Sequence, residues 1–249
     1  MDRWMTLADR VLAPVVARSA RLGLGADPCF LEFVVPQVEG IVGARDLTEV
    51  CRCAPPTSTA LTALLADAHY RHVVKSLVIA ARCVPEPLLR PMLVAAAQTL
   101  NPSCNRDFVA PCTLTFGRRR VVETLIDIAT HGSNSLKAGT ANALYWGWMP
   151  RERASWPGVD EVLPPGPPDE PVEDLRAAFL SWAVRELLDN IDIDVRRALV
   201  YYLVPARGHE PVLAERAIAI ARAHEDAYIR QRLAADLGES RLAPCQPSR

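Results

Sequence analysis

Almost every run of hydrophobic positions along this chain has the period of an α-helix, and alternating β-branched runs are scarce. Apolar residues three and four positions apart lie on one face of a helix, which a neighbouring element can then bury. The predicted helices are 2–21, one beginning at Asp27-Pro28, 46–53, one capped by Thr57 or Ser58, 70–83, 86–100, 118–131, 135–148, 172–188, 192–204, 210–223 and 226–237. The pattern therefore predicts an all-α protein.

Proline and glycine set the expected breaks between these helices. Pro91 should kink the 86–100 helix or move its start, and Pro111 predicts that 105–116 is short and irregular. Gly238 is typical of a helix C-cap. Residues 151–171 contain six prolines, so they cannot continue a helix. We expect this segment to be an extended linker or a loop draped over the helices.

Three segments share one spacing, in which an apolar residue precedes a basic residue and a leucine follows the basic residue by seven. Arg230 follows Arg196 by 34 positions, a common period of helix pairs. Residues 71–102 also align without a gap on 119–150. Stacked helix pairs are therefore expected. The segments are Asp194-Val195-Arg196 with Leu203, Asp226 to Ile229-Arg230 with Leu237, and Leu136-Lys137 with Leu144.

Residues 190–198 and 225–234 resemble the second helix of HEAT repeats, within the wider armadillo-like class, with an acid, an apolar residue, an arginine and then an Ala/Leu-rich stretch. The resemblance covers 117–238 and is weak over 1–116. It implies a right-handed α-solenoid of HEAT-like helix pairs, an α-α superhelix. The implied organisation is N-terminal repeats over 1–150 (irregular over 1–116), the proline-rich 151–171, and C-terminal repeats over 172–249.

The same resemblance bears on function. Members of the family are mostly protein-binding scaffolds, and a minority are enzymes, among them relatives of DNA glycosylases and lyases that attach bilins. Such solenoids also carry a ladder of ion pairs between neighbouring repeats. The resemblance places Asp194, Arg196, Asp226 and Arg230 in that ladder, which is a structural use of these charges that competes with ligand binding.

Composition excludes some partners. With 28 basic and 29 acidic residues the net charge is −1, so no global basic field draws the chain to nucleic acid or to an anionic membrane. No signal peptide and no apolar stretch long enough to span a membrane is apparent, so we expect a cytoplasmic protein. The seven cysteines fit buried thiols in a cytosolic chain. Only two of the basic residues are lysines, which is typical of a GC-rich bacterial genome.

Two clusters form the candidate contact patch. On a helix, Tyr145 and Trp148 share a face and Trp146 points elsewhere; such aromatics either fill the core or anchor a partner. Three consecutive arginines at a helix N-terminus oppose the helix dipole, so they either bind an external anion or pair with local acids such as Asp107 and Glu123. The patch is Arg118, Arg119, Arg120, Tyr145, Trp146 and Trp148.

Metal, cofactor and catalytic signals are poor. Cys51-x-Cys53 with His69-x-x-His72 has cysteines too close together for a typical zinc site, and Cys104 with Cys112 is weaker still. No Gly-rich phosphate loop occurs. Glu123 and Asp127 share a helix face, as acids on solvated helices often do, and Asp192 with Asp194 is typical of a helix cap. We expect neither a metal site nor a cofactor.

The expected function is therefore a HEAT-repeat scaffold that binds a protein or peptide partner through its concave surface, without catalysis. The alternative is an enzyme that acts on nucleic acid on the same scaffold, with Asp127 as its catalytic candidate. A continuous basic groove would favour nucleic acid, whereas mixed charge would favour a protein partner. Partner identity and oligomeric state stay open.

Overall fold

A computed structural model describes residues 58–67, 71, 74–75, 78–79, 84–99, 101–154 and 166–239, and these contain helices, turns and coil but no strand. The prediction of an all-α protein is confirmed for this part of the chain. The predicted helices before Ser58, the Cys51/Cys53 and His69/His72 set and Trp156 lie outside the described residues. The helices are α1 Ser58–Ala66, α2 Leu89–Ala97, α3 Pro102–Phe116, α4 Arg118–His131, α5 Asn134–Gly147, α6 Glu173–Asp189, α7 Ile193–Leu199, α8 Leu203–Ala206, α9 Pro211–Arg222 and α10 Ala227–Asp236, with 3₁₀ turns at Glu86–Leu88, Arg151–Arg153 and Val200–Tyr202.

Local capping explains where these helices begin and end. The Asp192 carboxylate accepts from the backbone N–H groups of Asp194 and Val195, so the predicted cap at Asp192 is confirmed. Gly238 has φ 75° after α10, a conformation suited to glycine at a helix end. Pro91 lies in the first turn of α2, because the helix begins at Leu89, and there it costs no internal hydrogen bond.

The expectation of a short, irregular 105–116 segment is wrong, because α3 is a 15-residue helix with Pro111 inside it. The Asn101 side chain caps its N-terminus, where Pro102 already has a helical φ. Phe108 and Val109 are fully buried, and this burial outweighs the backbone hydrogen bond that Pro111 cannot donate.

The turn between α2 and α3 is held from inside. Asn105 is fully buried, and its amide, in the orientation that its neighbours satisfy, donates to the carbonyl oxygens of Ala96, Thr99 and Asn101 at 3.1–3.2 Å. These carbonyls lie at or just after the C-terminal end of α2, where no further helical turn supplies an N–H donor. One buried side chain therefore fixes how α3 leaves α2.

Helix α5 is central in the described chain, because it packs against α2, α3, α4 and α7. Helix α6 contacts both α4 and α9, while α7 and the 3₁₀ turn after it contact α10. The two predicted blocks, up to 150 and from 172, therefore pack directly on each other. No helix in the described ranges is long and apolar enough to cross a membrane.

The buried positions of α4 recur at helical spacing. They are Val121, Val122, Leu125, Ile128 and Ala129. Ile126 is half-buried against the same core. Since α4 is covered from several sides, its apolar stripe is wider than a single row of positions.

Ion pairs link α5 with α6 and α7 with the start of α10, and of the four residues expected in such a ladder only Asp226 takes part. Lys137 Nζ lies 2.5 Å from Glu186 Oε1, and Arg197 Nη2 lies 2.6 Å from Asp226 Oδ2. The expected Arg196 instead donates to the Asn190 carbonyl, and Arg230 binds backbone carbonyls just before α10. The arginine that forms the ion pair with Asp226 is thus Arg197, one position later than predicted, while Arg196 Nη1 lies 3.2 Å from His224 Nε2.

Gly139 allows α2 and α5 to approach closely. A Cβ atom built on Gly139 would lie 1.6 Å from the Ala97 carbonyl oxygen, a backbone atom at the end of α2. A methyl group there cannot be accommodated by rotating a side chain, so the helices would have to separate.

We therefore expect Gly139→Ala to destabilise the fold by about 1–3 kcal/mol, although alanine is the better helix former. Urea unfolding followed by circular dichroism measures the change. Gly208→Ala is the matched control, because the nearest atom to its Cβ is 3.8 Å away, and it should unfold like the wild type. Equal midpoints for all three proteins would contradict the close-packing argument.

Candidate functional site: an aromatic groove on α5 and α7

A cavity of about 680 Å³ lies between the C-terminal half of α5 and the segment α7–α8. Side chains from α3 and α6 complete its walls. Its volume falls in the range of about 300–1,000 Å³ that is typical of ligand pockets. The lining residues are Ser103, Ala141, Asn142, Tyr145, Trp146, Trp148, Met149, Arg176, Ala198, Tyr201, Tyr202 and Pro205.

All three aromatic residues of the predicted patch line this cavity. Tyr145 is 57 % exposed, and its ring meets the Trp146 ring edge-on with centroids 5.1 Å apart. Trp146 and Trp148 are partly buried and also pack against the core. These tryptophans therefore pack inward and still present surface to the cavity, so core packing is observed in part and the anchoring of a partner stays a prediction.

The wall formed by Trp148 and Tyr202 is backed by the core residue Phe179. Phe179 is fully buried, 4.9 Å from the Tyr202 ring and 6.0 Å from the Trp148 ring. The Tyr202 hydroxyl donates to the Ala141 carbonyl at 2.6 Å, and burial raises the pKa of Tyr202 above its ordinary value. Because these rings are held from behind, the wall is preformed.

A second cavity of about 630 Å³ continues the first toward α2 and α10, and the two share Asn142, Ala198 and Tyr201. Its further lining residues are Ala97, Gln98, Thr99, Ser135, Ala138, Gly139, Asp194, Arg197 and Tyr228. We call the two adjoining cavities together the α5–α7 groove. Its floor is made by small residues of α5 at helical spacing, and its rims by tyrosines.

At the α10 end the rim is a hydrogen-bonded tyrosine pair. The hydroxyls of Tyr201 and Tyr228 are 2.5 Å apart, and both residues are partly exposed. Partial burial and the hydrogen bond with Tyr201 raise the pKa of Tyr228 to about 12. The Arg232 guanidinium lies over the Tyr201 ring, 4.0 Å from its centroid. Tyr228 is therefore neutral at physiological pH, and the hydrogen bond and Arg232 hold both rings in place.

Charge in the groove is mixed and sparse. Arg197 pairs with Asp226 and approaches Asp194 at 3.6 Å. Arg176 is the other charged lining residue, and within the described part of the chain its guanidinium has no ion pair or hydrogen bond. The groove therefore lacks the row of cations that a nucleic-acid backbone requires.

The arginine half of the predicted patch lies elsewhere, in contact with acids. Arg118 pairs with Asp169 at 2.8 Å, Arg120 pairs with Glu86, and Arg119 binds both carboxylate oxygens of Asp174. This last contact holds the pKa of the Asp174 carboxyl below its ordinary value. The open alternative of pairing within the chain is the one observed, with partners other than Asp107.

Two of these arginines bind the C-terminal end of the proline-rich segment. Arg118 donates to the Glu170 carbonyl and Arg119 to the Pro171 carbonyl, while Pro167 packs on Gly117. The other end is held too, because the Arg151 backbone N–H donates to Asp169. A separate cavity of about 430 Å³ lies here, and its described lining shares no residue with the α5–α7 groove.

The catalytic candidate Asp127 is not among the residues that line the groove. Arg90 and then His131 bind its carboxylate on the outer face of α4, and the Arg90 hydrogen bond lowers its pKa. Glu123 pairs with Arg119 four positions earlier. Cys112 is buried, Cys104 is partly buried, and no group of metal-ligating side chains occurs among the described residues.

Comparison of the chain with models of protein families, with curated proteins and with solved structures found no match in any of the three.

Sequence reasoning missed the second wall of the groove. Tyr201 and Tyr202 follow the repeat-like Asp194–Arg196 stretch, and Tyr228 opens the next one. Spacing was the available signal. Asp194, Ala198 and Tyr201 are four and then three positions apart, which places them on one helix face. The groove residues Ala138, Asn142 and Tyr145 of α5 have the same spacing. No local sequence pattern marks Arg176 as a residue of the groove.

The hydrogen bond behind the groove wall gives a stability test. Tyr202→Phe removes the donor to the Ala141 carbonyl, so we expect a loss of about 1 kcal/mol or more in urea unfolding. Tyr201→Phe removes a partly exposed hydroxyl of the same kind and should cost only a few tenths of a kcal/mol. Equal losses in the two variants would show that the Tyr202 bond does not brace the wall.

Proposed function

We propose that this protein is a HEAT-like α-solenoid whose α5–α7 groove binds a peptide segment of a partner protein, without catalysis. The proposal draws on the order of the helices. Second helices of successive pairs lie side by side along the groove, as α2, α5, α7 and α10, while α4, α6 and α9 neighbour one another. Stacked pairs of this kind leave a long surface along their second helices.

The observation that carries the proposal is an exposed aromatic rim on a braced aromatic wall. Tyr145 and Tyr201 present ring surface to solvent, and Trp148 and Tyr202 behind them are held by Phe179. Tyrosine and tryptophan dominate binding energy at protein interfaces, because large rigid rings lose little entropy on binding. Ser103, Asn142 and Gln98 supply polar groups for a peptide backbone.

The nucleic-acid alternative receives less support. Of the charged residues lining the groove, Arg197 is matched by Asp194 and Asp226, which leaves Arg176 alone. Asp127 lies in ion pairs outside the described lining of the groove. The predicted contact patch is accordingly revised. We propose that Tyr145, Trp146 and Trp148 contact the partner and that Arg118–Arg120 bind groups within this chain.

The test is a pull-down with the tagged protein from native lysate, with and without nuclease, read by mass spectrometry. The bait is compared with the double variant Tyr145→Ala/Tyr201→Ala. We expect a protein partner that survives nuclease and falls at least about tenfold with the double variant, as for interface hot spots.

The matched control is Arg120→Gln, which alters the other half of the predicted patch at a residue that pairs with Glu86 outside the groove, so it should leave partner recovery unchanged once its folding is verified by circular dichroism. A partner lost with nuclease would move the function to nucleic acid. A partner that the double variant retains would show that the groove is not the binding surface.

A further inference from the structure

We propose that the peptide segment recognised by the α5–α7 groove is acidic, with an aspartate or glutamate close to an aromatic or large apolar anchor. The carboxylate pairs with Arg176 and the anchor enters the cavity beside Tyr145 and Trp148. This inference rests on the proposed function and specifies the chemistry of its partner.

Among the described residues Arg176 has no ion-pair partner, because the acids nearest to it in the chain bind other groups. Asp174 is bound at both oxygens by Arg119, and Glu173 turns back to accept from the Val172 backbone N–H at the start of α6. Arg176 is exposed and lines the aromatic cavity. Elsewhere in the described chain, arginines at helix starts such as Arg118–Arg120 are each matched by a carboxylate.

The aromatic faces of the groove argue against a basic partner. The Arg106 guanidinium lies 5.7 Å from the centre of the Trp146 ring, and Arg232 lies 4.0 Å from that of Tyr201. A lysine or arginine of a partner would compete for ring faces that already carry cations and would be repelled by them. A negative charge meets no such opposition.

The number of charges favours a carboxylate over a phosphate. One guanidinium matches one carboxylate in a two-bond arrangement, whereas a phosphate carries about −1.5 to −2 charges and is usually held by several cations. Arg197, the next cation along the groove, is already paired. The cavity volume of about 680 Å³ leaves room for one bulky side chain beside the ion pair.

The experiment uses a displayed library of random dodecapeptides selected against the full chain. We expect wild-type protein to enrich peptides with Asp or Glu within about four residues of an aromatic or large apolar residue. A synthetic consensus peptide should bind Arg176→Gln about three- to tenfold more weakly by fluorescence anisotropy.

A double-mutant cycle assigns the loss to this pair. Replacing the acid of the peptide by its amide should weaken binding to the wild type by the same factor, and should have little effect on Arg176→Gln. The matched control is Arg216→Gln, an exposed arginine of α9 outside the lining of the groove, which should bind the peptide as the wild type does.

The outcomes separate the two proposals. Selected peptides that depend on Tyr145 and Tyr201 but lack an acid preference, or a cycle without coupling, would overturn the acidic-partner inference and leave the groove as a peptide site. A selection that yields no peptide dependent on Tyr145 and Tyr201 would overturn both. Enrichment of Lys/Arg-rich peptides would also refute the inference directly.

Discussion

The backbone contact between α2 and α5 is the constraint on which the groove depends. Gly139 brings α5 against the Ala97 carbonyl, and α5 is then covered by α2, α3, α4 and α7. The face of α5 that remains open is narrow and carries small residues up to Tyr145. A bulkier residue at Gly139 would both part the helices and fill the floor, so fold and site share one steric requirement.

Much of the fold was predictable from local pattern, since the bounds of α4 were predicted to the residue and those of α5, α6, α9 and α10 to within one. Such predictions succeed because apolar period and capping residues act within a few positions. They failed at α3, where Pro111 argued for a break. The burial of Phe108 and Val109 by neighbouring helices decides that segment, and tertiary burial has no signature within the segment itself.

The site was half predictable for a related reason. The cluster Tyr145-Trp146-Gly147-Trp148 stands out in the sequence, and its three aromatics line one cavity. Glu86, Asp169 and Asp174, which pair with these arginines, are 34 to 55 positions away in the chain, so those pairs could not be inferred from spacing. Only the pair of Arg119 with Glu123, four positions apart, could be. An arginine cluster has the same sequence pattern whether the carboxylates that pair with it belong to this chain or to a partner. Only the fold distinguishes Arg119, which is paired, from Arg176, which has no ion pair or hydrogen bond in the part of the chain that the structure describes.

The proline-rich segment closes at its base, where the Arg151 backbone N–H meets the Asp169 carboxylate and Asp169 also meets Arg118. Its two ends are therefore pinned side by side, whatever lies between them. The cost of closing a loop rises only slowly with length, by about 0.6 kcal/mol for each doubling. The stretch beyond these anchors can thus be lengthened, shortened or replaced while the helices on both sides keep their packing, which makes it a position where the fold can accept an inserted segment.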